Sequence, residues 1–136
     1  MNKLLNMRKQ KRSESGFTLM ELLIVIAIIA VLVAIAIPAF AAQLDNAKDT
    51  ADKANARALY ALAQADWMSA TDDSQRATFS DLQDHKVIVL FADGNSQAFT
   101  FSDRTDSVVV EFFDNGAHVT TTGKGNGGAG FEFPEG

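Results

Sequence analysis

The sequence predicts an α+β chain in which one long N-terminal helix packs on a small antiparallel β-sheet. Residues 22–37 are sixteen apolar residues without a break, as in a helix that crosses a membrane. Residues 41–68 contain no Gly or Pro and are rich in Ala, the strongest helix former. Beyond residue 85 the segments are rich in Val, Ile, Phe and Thr and alternate with a period of two, which is typical of strands.

The first apolar segment is long enough to cross a membrane. As a helix, residues 17–40 would extend about 36 Å, and the hydrocarbon core of a bilayer is about 30 Å thick. The residues before this segment carry five cations, which the positive-inside rule keeps on the cytoplasmic side: Lys3, Arg8, Lys9, Lys11 and Arg12. We therefore expect the remainder of the chain to lie on the outer side.

Glu21 places a carboxylate at the head of this apolar run. An ionised carboxylate inside hydrocarbon costs about 2.5–3.5 kcal/mol, so such a residue usually has a partner. Glu21 also lies near the expected cytoplasmic boundary of the membrane. A carboxylate at the depth of the lipid headgroups is solvated and needs no partner. A paired carboxylate and a solvated one are both open interpretations at this point.

The residues around Glu21 resemble a known processing signal. The sequence G-F-T-L-M-E from Gly16 to Glu21, with the basic leader before it and the apolar run and Pro38 after it, resembles the class III signal of type IV pilins and pseudopilins. The resemblance implies that a membrane-embedded prepilin peptidase cleaves between Gly16 and Phe17 and methylates the new amino group of Phe17. It also implies that Glu21 pairs with the Phe17 amine of a neighbouring subunit. Pro38 is expected to kink the helix, since it lacks an N–H and clashes with the preceding turn.

The same resemblance implies a fold, a location and partners. The fold would be the α+β pilin fold, and the mature chain would assemble into a homo-oligomeric helical filament. A platform membrane protein and an assembly ATPase would drive that step. Before assembly the chain would be a single-pass protein of the cytoplasmic membrane with its C-terminal domain outside, and afterwards part of an extracellular surface filament.

Four segments are expected along the chain. Residues 1–16 form a cytoplasmic basic leader peptide that is removed, and residues 17–40 form the hydrophobic transmembrane and filament-core helix. Residues 41–70 form the amphipathic half of that helix. Residues 71–136 form a C-terminal globular β domain with a Gly-rich tail.

Two alternatives to a pilus subunit are open. One is a pseudopilin of a type II secretion or competence system, which carries the same kind of signal. The other is a membrane-anchored or secreted domain without a filament, since residues 39–41 read A-F-A, a sequence that an ordinary signal peptidase would cut. The apolar run exceeds the about 7–15 residues of an ordinary signal peptide, and Glu21 is unusual at its start, so the pilin interpretation is favoured.

A stripe of small residues is predicted to be a packing face of the second half of the helix, suited to close packing against a sheet or another helix. Its members recur at spacings of three and four, as on one helix face: Leu44, Ala47, Ala51, Ala54, Ala58, Ala61, Ala65 and Met68. Charged residues are assigned to the other faces, and Asp49 with Lys53 is expected to form a surface ion pair.

Strands are predicted at residues 86–92, 97–101, 107–113 and 117–122, joined as one antiparallel meander across the helix. The turn residues between them, Asn115-Gly116 especially, favour hairpins. Residues 78–82 are expected to form a short helical turn. The tail, residues 123–136, contains six Gly and is expected to be a mobile loop or an extended arm, with Phe131 and Phe133 docking as a last edge strand.

The sequence contains few residue patterns that indicate catalysis or ligand binding. The net charge of −5 divides into +4 for residues 1–16 and −9 for the remainder, which disfavours nucleic acid as a direct partner of the exported part. His85 and His118 lie in different segments, and no phosphate loop, nucleophile elbow or zinc pattern is present. Asp93, Asp103 and Asp106 are interpreted as turn residues rather than calcium ligands, since no closing bidentate Glu accompanies them. We expect no enzyme activity, cofactor or metal site, and the lack of Cys excludes disulfides.

Overall fold

The structure is a computed structural model that describes residues 18–125 and 127–135 and assigns residues 2–17 to the first helix. Helix α1 is followed by a short 3₁₀ helix and six strands in the described part of the chain. Their bounds are α1 Asn2–Ser69, the 3₁₀ helix Asp73–Gln75, β1 Thr78–Phe79, β2 Lys86–Leu90, β3 Ser96–Thr100, β4 Thr105–Phe113, β5 Gly116–Gly123 and β6 Phe131–Phe133. The predicted α+β class, one long N-terminal helix with small antiparallel sheets, is confirmed.

The chain divides into two compact units, Met1–Gln43 and Leu44–Gly136. The described part of the first unit is helical and apolar. The second unit holds the remainder of α1, the 3₁₀ helix and the strands, and we call it the globular unit.

The strands form two antiparallel sheets of three strands each in the described residues, not the single meander that the sequence predicts. The strand orders are β1-β2-β3 and β4-β5-β6. Four of the strands lie within two residues of their predicted bounds, and β6 confirms the last edge strand at Phe131 and Phe133. The expected helical turn at residues 78–82 is wrong, because Thr78 and Phe79 pair with Leu90 and Val89 as strand β1.

The core of the globular unit lies between α1 and the two sheets. Helix α1 contributes Ala56, Leu59 and Ala63, which have no exposed surface. The sheets contribute mainly β-branched and aromatic residues: Val87, Val89, Phe99, Val108, Val119 and Phe133. Such side chains fit the pleated surface of a sheet, and the small Ala side chains let the helix approach it closely.

The predicted packing of the small-residue stripe against the sheet is wrong, and its packing against another helix stays a prediction. All eight members of the small-residue stripe, from Leu44 to Met68, are exposed in the structure. The buried residues are Asp52, Ala56, Leu59 and Ala63, at spacings of four, three and four. At about 100° per residue, this face lies roughly 150° around the helix from the predicted stripe. The stripe is therefore the outer face of α1 in the globular unit.

Partly buried polar side chains of α1 form hydrogen bonds with backbone groups of the segments that follow the helix. Asn55 Nδ2 donates to the carbonyl of Thr100 at 2.7 Å, and Gln64 Oε1 accepts from the N–H of Ala117 at 2.9 Å. The Asp66 carboxylate accepts from the N–H of Ala77 at 3.1 Å. These contacts tie α1 to the strands and to the segment before β1 through polar groups as well as through the apolar core.

Described residues of the Gly-rich tail contact the rest of the globular unit, and the expected mobility of the tail stays a prediction. The N–H of Lys124 donates to the Arg104 carbonyl at 2.8 Å, and the N–H of Gly128 donates to the Lys124 carbonyl at 3.1 Å. A Cβ on Gly128 would lie 2.2 Å from the Arg104 carbonyl oxygen. Gly128 is therefore required for close backbone approach.

Candidate processing and assembly site

The apolar part of α1 is exposed on every side. The large hydrophobic side chains from Leu19 to Phe40 are between 45% and 70% exposed. The helix is long and apolar enough to cross a membrane. An apolar surface that surrounds a helix needs lipid or other helices around it, because water solvates it poorly.

Glu21 is an exposed carboxylate on this apolar surface. It shares one face of α1 with Thr18, Leu22 and Val25, which line a shallow depression around it. Within the described residues the structure records no ion pair for Glu21, and the sequence contains no Lys or Arg between Arg12 and Lys48. The pairing of Glu21 with a positive group therefore stays a prediction.

Two of the predicted site residues, Gly16 and Phe17, lie outside the described residues. Cleavage between them and methylation of Phe17 therefore stay predictions. Pro38 lies inside α1, whose helical assignment continues through it to Ser69. The predicted kink at Pro38 also stays a prediction, since an unbroken assignment does not measure a bend.

The exposed apolar helix, its single carboxylate and the small α+β unit after it define a membrane-anchored, prepilin-like precursor. Residues 11–37 match the family described as the prokaryotic N-terminal methylation motif. The match spans Gly16, Phe17 and Glu21, and the chain thus carries a type IV pilin-like class III signal. This signal supports a relationship to the type IV pilin and pseudopilin family, whose members are structural proteins rather than enzymes. The signal implies, in general, processing by a prepilin peptidase and assembly into filaments. Comparisons with curated proteins and with solved structures gave no match.

The turn aspartates make local contacts. The Asp93 carboxylate accepts from the backbone N–H and the side-chain amide of Asn95, both at 2.9 Å. Asp103 pairs with Lys48 at 2.9 Å, and this contact lowers the pKa of Asp103 below its ordinary value. Among the described residues no group of three His, Cys, Asp or Glu side chains is arranged to hold a metal ion.

The sequence interpretation missed a polar cluster around Arg104, which is only 9% exposed. The Arg104 guanidinium contacts Asp49 at 2.9 Å and Asp45 at 3.3 Å. The expected ion pair of Asp49 with Lys53 is therefore wrong, because Asp49 pairs with Arg104. Lys53 pairs instead with Glu135 at 3.3 Å. Asp45, Asp49 and Asp52 are spaced by four and three, and this acidic face was the one available signal for the cluster.

Proposed function

We propose that the chain is the structural subunit of a type IV pilus. The observation that carries the proposal is the match of residues 11–37 to the methylation motif, on a helix whose apolar side chains are exposed all round. Such a surface supports burial first in the membrane and then against the same segment of other subunits. The pilus, rather than a pseudopilus, is the filament we propose.

The proposed maturation begins with removal of the basic leader. Cleavage between Gly16 and Phe17 would change the net charge from −5 to −9 and leave Phe17 as a charged amino terminus. Methylation of that amine would keep its positive charge. The mature chain would then present one cation, at Phe17, and one carboxylate, at Glu21, at the head of an otherwise apolar helix.

Glu21 is the proposed assembly residue. It lies four residues from the new terminus, and the processed chain would carry no Lys or Arg before Lys48. A charge in an apolar bundle is costly when single and tolerated when paired, so the Phe17 amine of a neighbouring subunit would neutralise Glu21. The pairing would also fix the axial register between subunits, because a shifted register leaves both charges unpaired.

The test replaces Glu21 with Gln, which keeps the size of the side chain and removes its charge. In cells that assemble the filament, we expect Glu21→Gln to abolish surface filaments recovered by shearing. The leader should still be cleaved, and mass spectrometry should show a chain that begins at Phe17 with one added methyl group. Glu111→Gln is the matched control, since Glu111 is exposed on β4 in the globular unit.

Three outcomes contradict the proposal at different points. Normal filaments from the Glu21→Gln chain would contradict the charge pairing. A wild-type chain that begins at residue 42 would indicate an ordinary signal peptide and no filament. A correctly processed wild-type chain that never reaches the sheared surface fraction would favour a pseudopilin over a pilin.

A further inference from the structure

The described residues from Gly123, the last residue of β5, to Gly130, directly before β6, are 123–125 and 127–130, and we call them the strap. Five of the seven described strap residues are Gly, and the other two are Lys124 and Ala129. The strap therefore has no large apolar side chain with which to bury itself. Gly also loses more conformational freedom on folding than other residues. The order of the strap must come from polar contacts of its backbone.

Those polar contacts converge on Arg104 and its partner Asp49. Arg104 Nη2 donates to the carbonyl of Gly127 at 2.7 Å, and the Arg104 carbonyl accepts from the N–H of Lys124 at 2.8 Å. Arg104 also donates two hydrogen bonds to Asp49, at 2.9 and 3.1 Å. The N–H of Ala129 donates to the same carboxylate. The ion pair thus contacts the strap at Gly127 and Ala129, and the backbone of Arg104 contacts it at Lys124.

The electrostatics of this ion pair favour its charged form. The hydrogen bonds from Arg104 hold the pKa of the Asp49 carboxyl below its ordinary value, and they raise the pKa of Arg104 in turn. Asp45 and Asp103 add further negative charge around the guanidinium. Hydrogen bonds between charged groups are shorter and stronger than neutral ones, and the fork of Arg suits a carboxylate.

A separate network holds the segment that carries Arg104. The Asp52 carboxylate, which is only 3% exposed, accepts from the backbone N–H of Ser102 at 2.7 Å. It also accepts from the hydroxyl groups of Ser102 and Thr105 at 2.6 and 2.7 Å. These bonds do not involve the guanidinium. The backbone around Arg104 can therefore stay in place when the guanidinium is lost.

The two ends of the strap are also held independently. Strand β6 pairs with β5 at three positions, and Phe133, only 3% exposed, stacks on Tyr60 at 6.1 Å between ring centroids. Lys53 also contacts Glu135 and the ring of the half-buried Phe131; the ion pair with Glu135 joins two exposed side chains and is correspondingly weak.

We propose that Arg104 is a latch that closes the strap over α1, so that the strap opens as a unit of its own. The latch consists of the Arg104 guanidinium, the Asp45 and Asp49 carboxylates and the Gly127 carbonyl. Without the guanidinium, the strap loses the hydrogen bond at Gly127 and Asp49 loses the partner that holds it beside Ala129, while the core between α1 and the sheets stays folded. Local opening of this kind is governed by the few contacts that hold a segment. The proposal does not depend on the function proposed above.

Amide hydrogen exchange, read by mass spectrometry on the full chain in detergent micelles, tests the latch. In Arg104→Gln we expect peptides that cover the strap to exchange about tenfold faster or more, since bonds between charged groups are lost. Peptides from β2 and β3 should change by less than about threefold, because their contacts remain. Arg57→Gln is the matched control, which removes an Arg from an exposed position of α1 without touching the strap.

A second variant keeps the test decisive if Arg104→Gln folds poorly. Arg104→Lys retains the charge but lacks the planar fork that serves Asp49 and Gly127 together, so we expect a smaller increase confined to the strap. Equal increases in the amide exchange rates of the strap and of β2 and β3 would overturn the proposal, because the contacts of the Arg104 guanidinium would then stabilise the whole globular unit. Unchanged strap exchange in both Arg104 variants would overturn it as well.

Discussion

The glycines of the strap differ in what surrounds their α-carbons. A Cβ on Gly128 would lie 2.2 Å from the Arg104 carbonyl oxygen and 2.9 Å from the Lys124 backbone nitrogen. A Cβ on Gly125 would meet nothing within 4 Å. The amino-acid composition does not distinguish the two residues. Of the two, only Gly128 lies where another backbone segment leaves no room for a Cβ.

We expect Gly128→Ala to lower the free energy of unfolding by about 1–3 kcal/mol, because the added methyl group must push backbone aside. Gly125→Ala should leave stability unchanged or raise it by about 0.4–1 kcal/mol, since it removes freedom from the unfolded chain. Denaturant unfolding of both variants in the same micelles makes the comparison. Equal stability of the two variants would contradict the packed strap.

The two faces of helix α1 in the globular unit differ in burial. Ala61 belongs to the exposed stripe, and Ala63 lies two residues later in the buried face with no exposed surface. Since Leu and Ala are both good helix formers, replacing either residue with Leu changes packing far more than helix propensity. The pair therefore reports which face of α1 meets the sheets.

Ala63→Leu should lower the free energy of unfolding by about 1–3 kcal/mol, because a larger side chain overfills a closely packed site. Ala61→Leu should stay within about 0.5 kcal/mol of the parent, as surface substitutions usually do. The measurement is thermal or denaturant unfolding followed by the tertiary signal of the single Trp. If Ala61→Leu were the more damaging change, the stripe would be the packing face after all.

The strands were predictable because their signals are local. The predicted strand at 86–92 corresponds to β2 Lys86–Leu90, and the one at 117–122 to β5 Gly116–Gly123, since turn residues mark their ends. Strand β1 has two residues and offers no period to recognise. Asp84 and His85 both have positive φ, at 48° and 60°, in a tight turn that Gly or Asn usually occupies, so this turn gave no sequence signal.

The packing face of α1 and the Arg104 cluster were not predictable for a shared reason. The Ala stripe is apolar by composition, but a methyl group buries little surface, so periodicity of Ala alone does not decide which face is covered. Asp52 is buried because Ser102 and Thr105, fifty and fifty-three residues away, supply donors to it. Contacts at such separation are absent from local patterns. Glu21, by contrast, stands out in sequence because its surroundings are apolar.

On the scale of the whole molecule, charge and apolar surface are separated along the chain. The globular unit carries seven Lys or Arg and fifteen Asp or Glu, a net charge of −8. The apolar helix before it carries the exposed hydrophobic side chains of the first unit. Net charge of this size favours solubility, so the globular unit and the apolar segment suit different environments.

We expect the globular unit to fold without the apolar segment. Every buried side chain of the described residues lies at Asp52 or beyond, and within the same residues the ion pairs of α1 with the loops begin at Asp45. A fragment of residues 44–136 should therefore be soluble without detergent and unfold in one cooperative transition, whereas the full chain should require micelles. Gel filtration and thermal unfolding of the fragment test this, with Ala63→Leu in the same fragment as a destabilised reference. A fragment with no cooperative transition would mean that the globular unit draws stability from residues before Leu44.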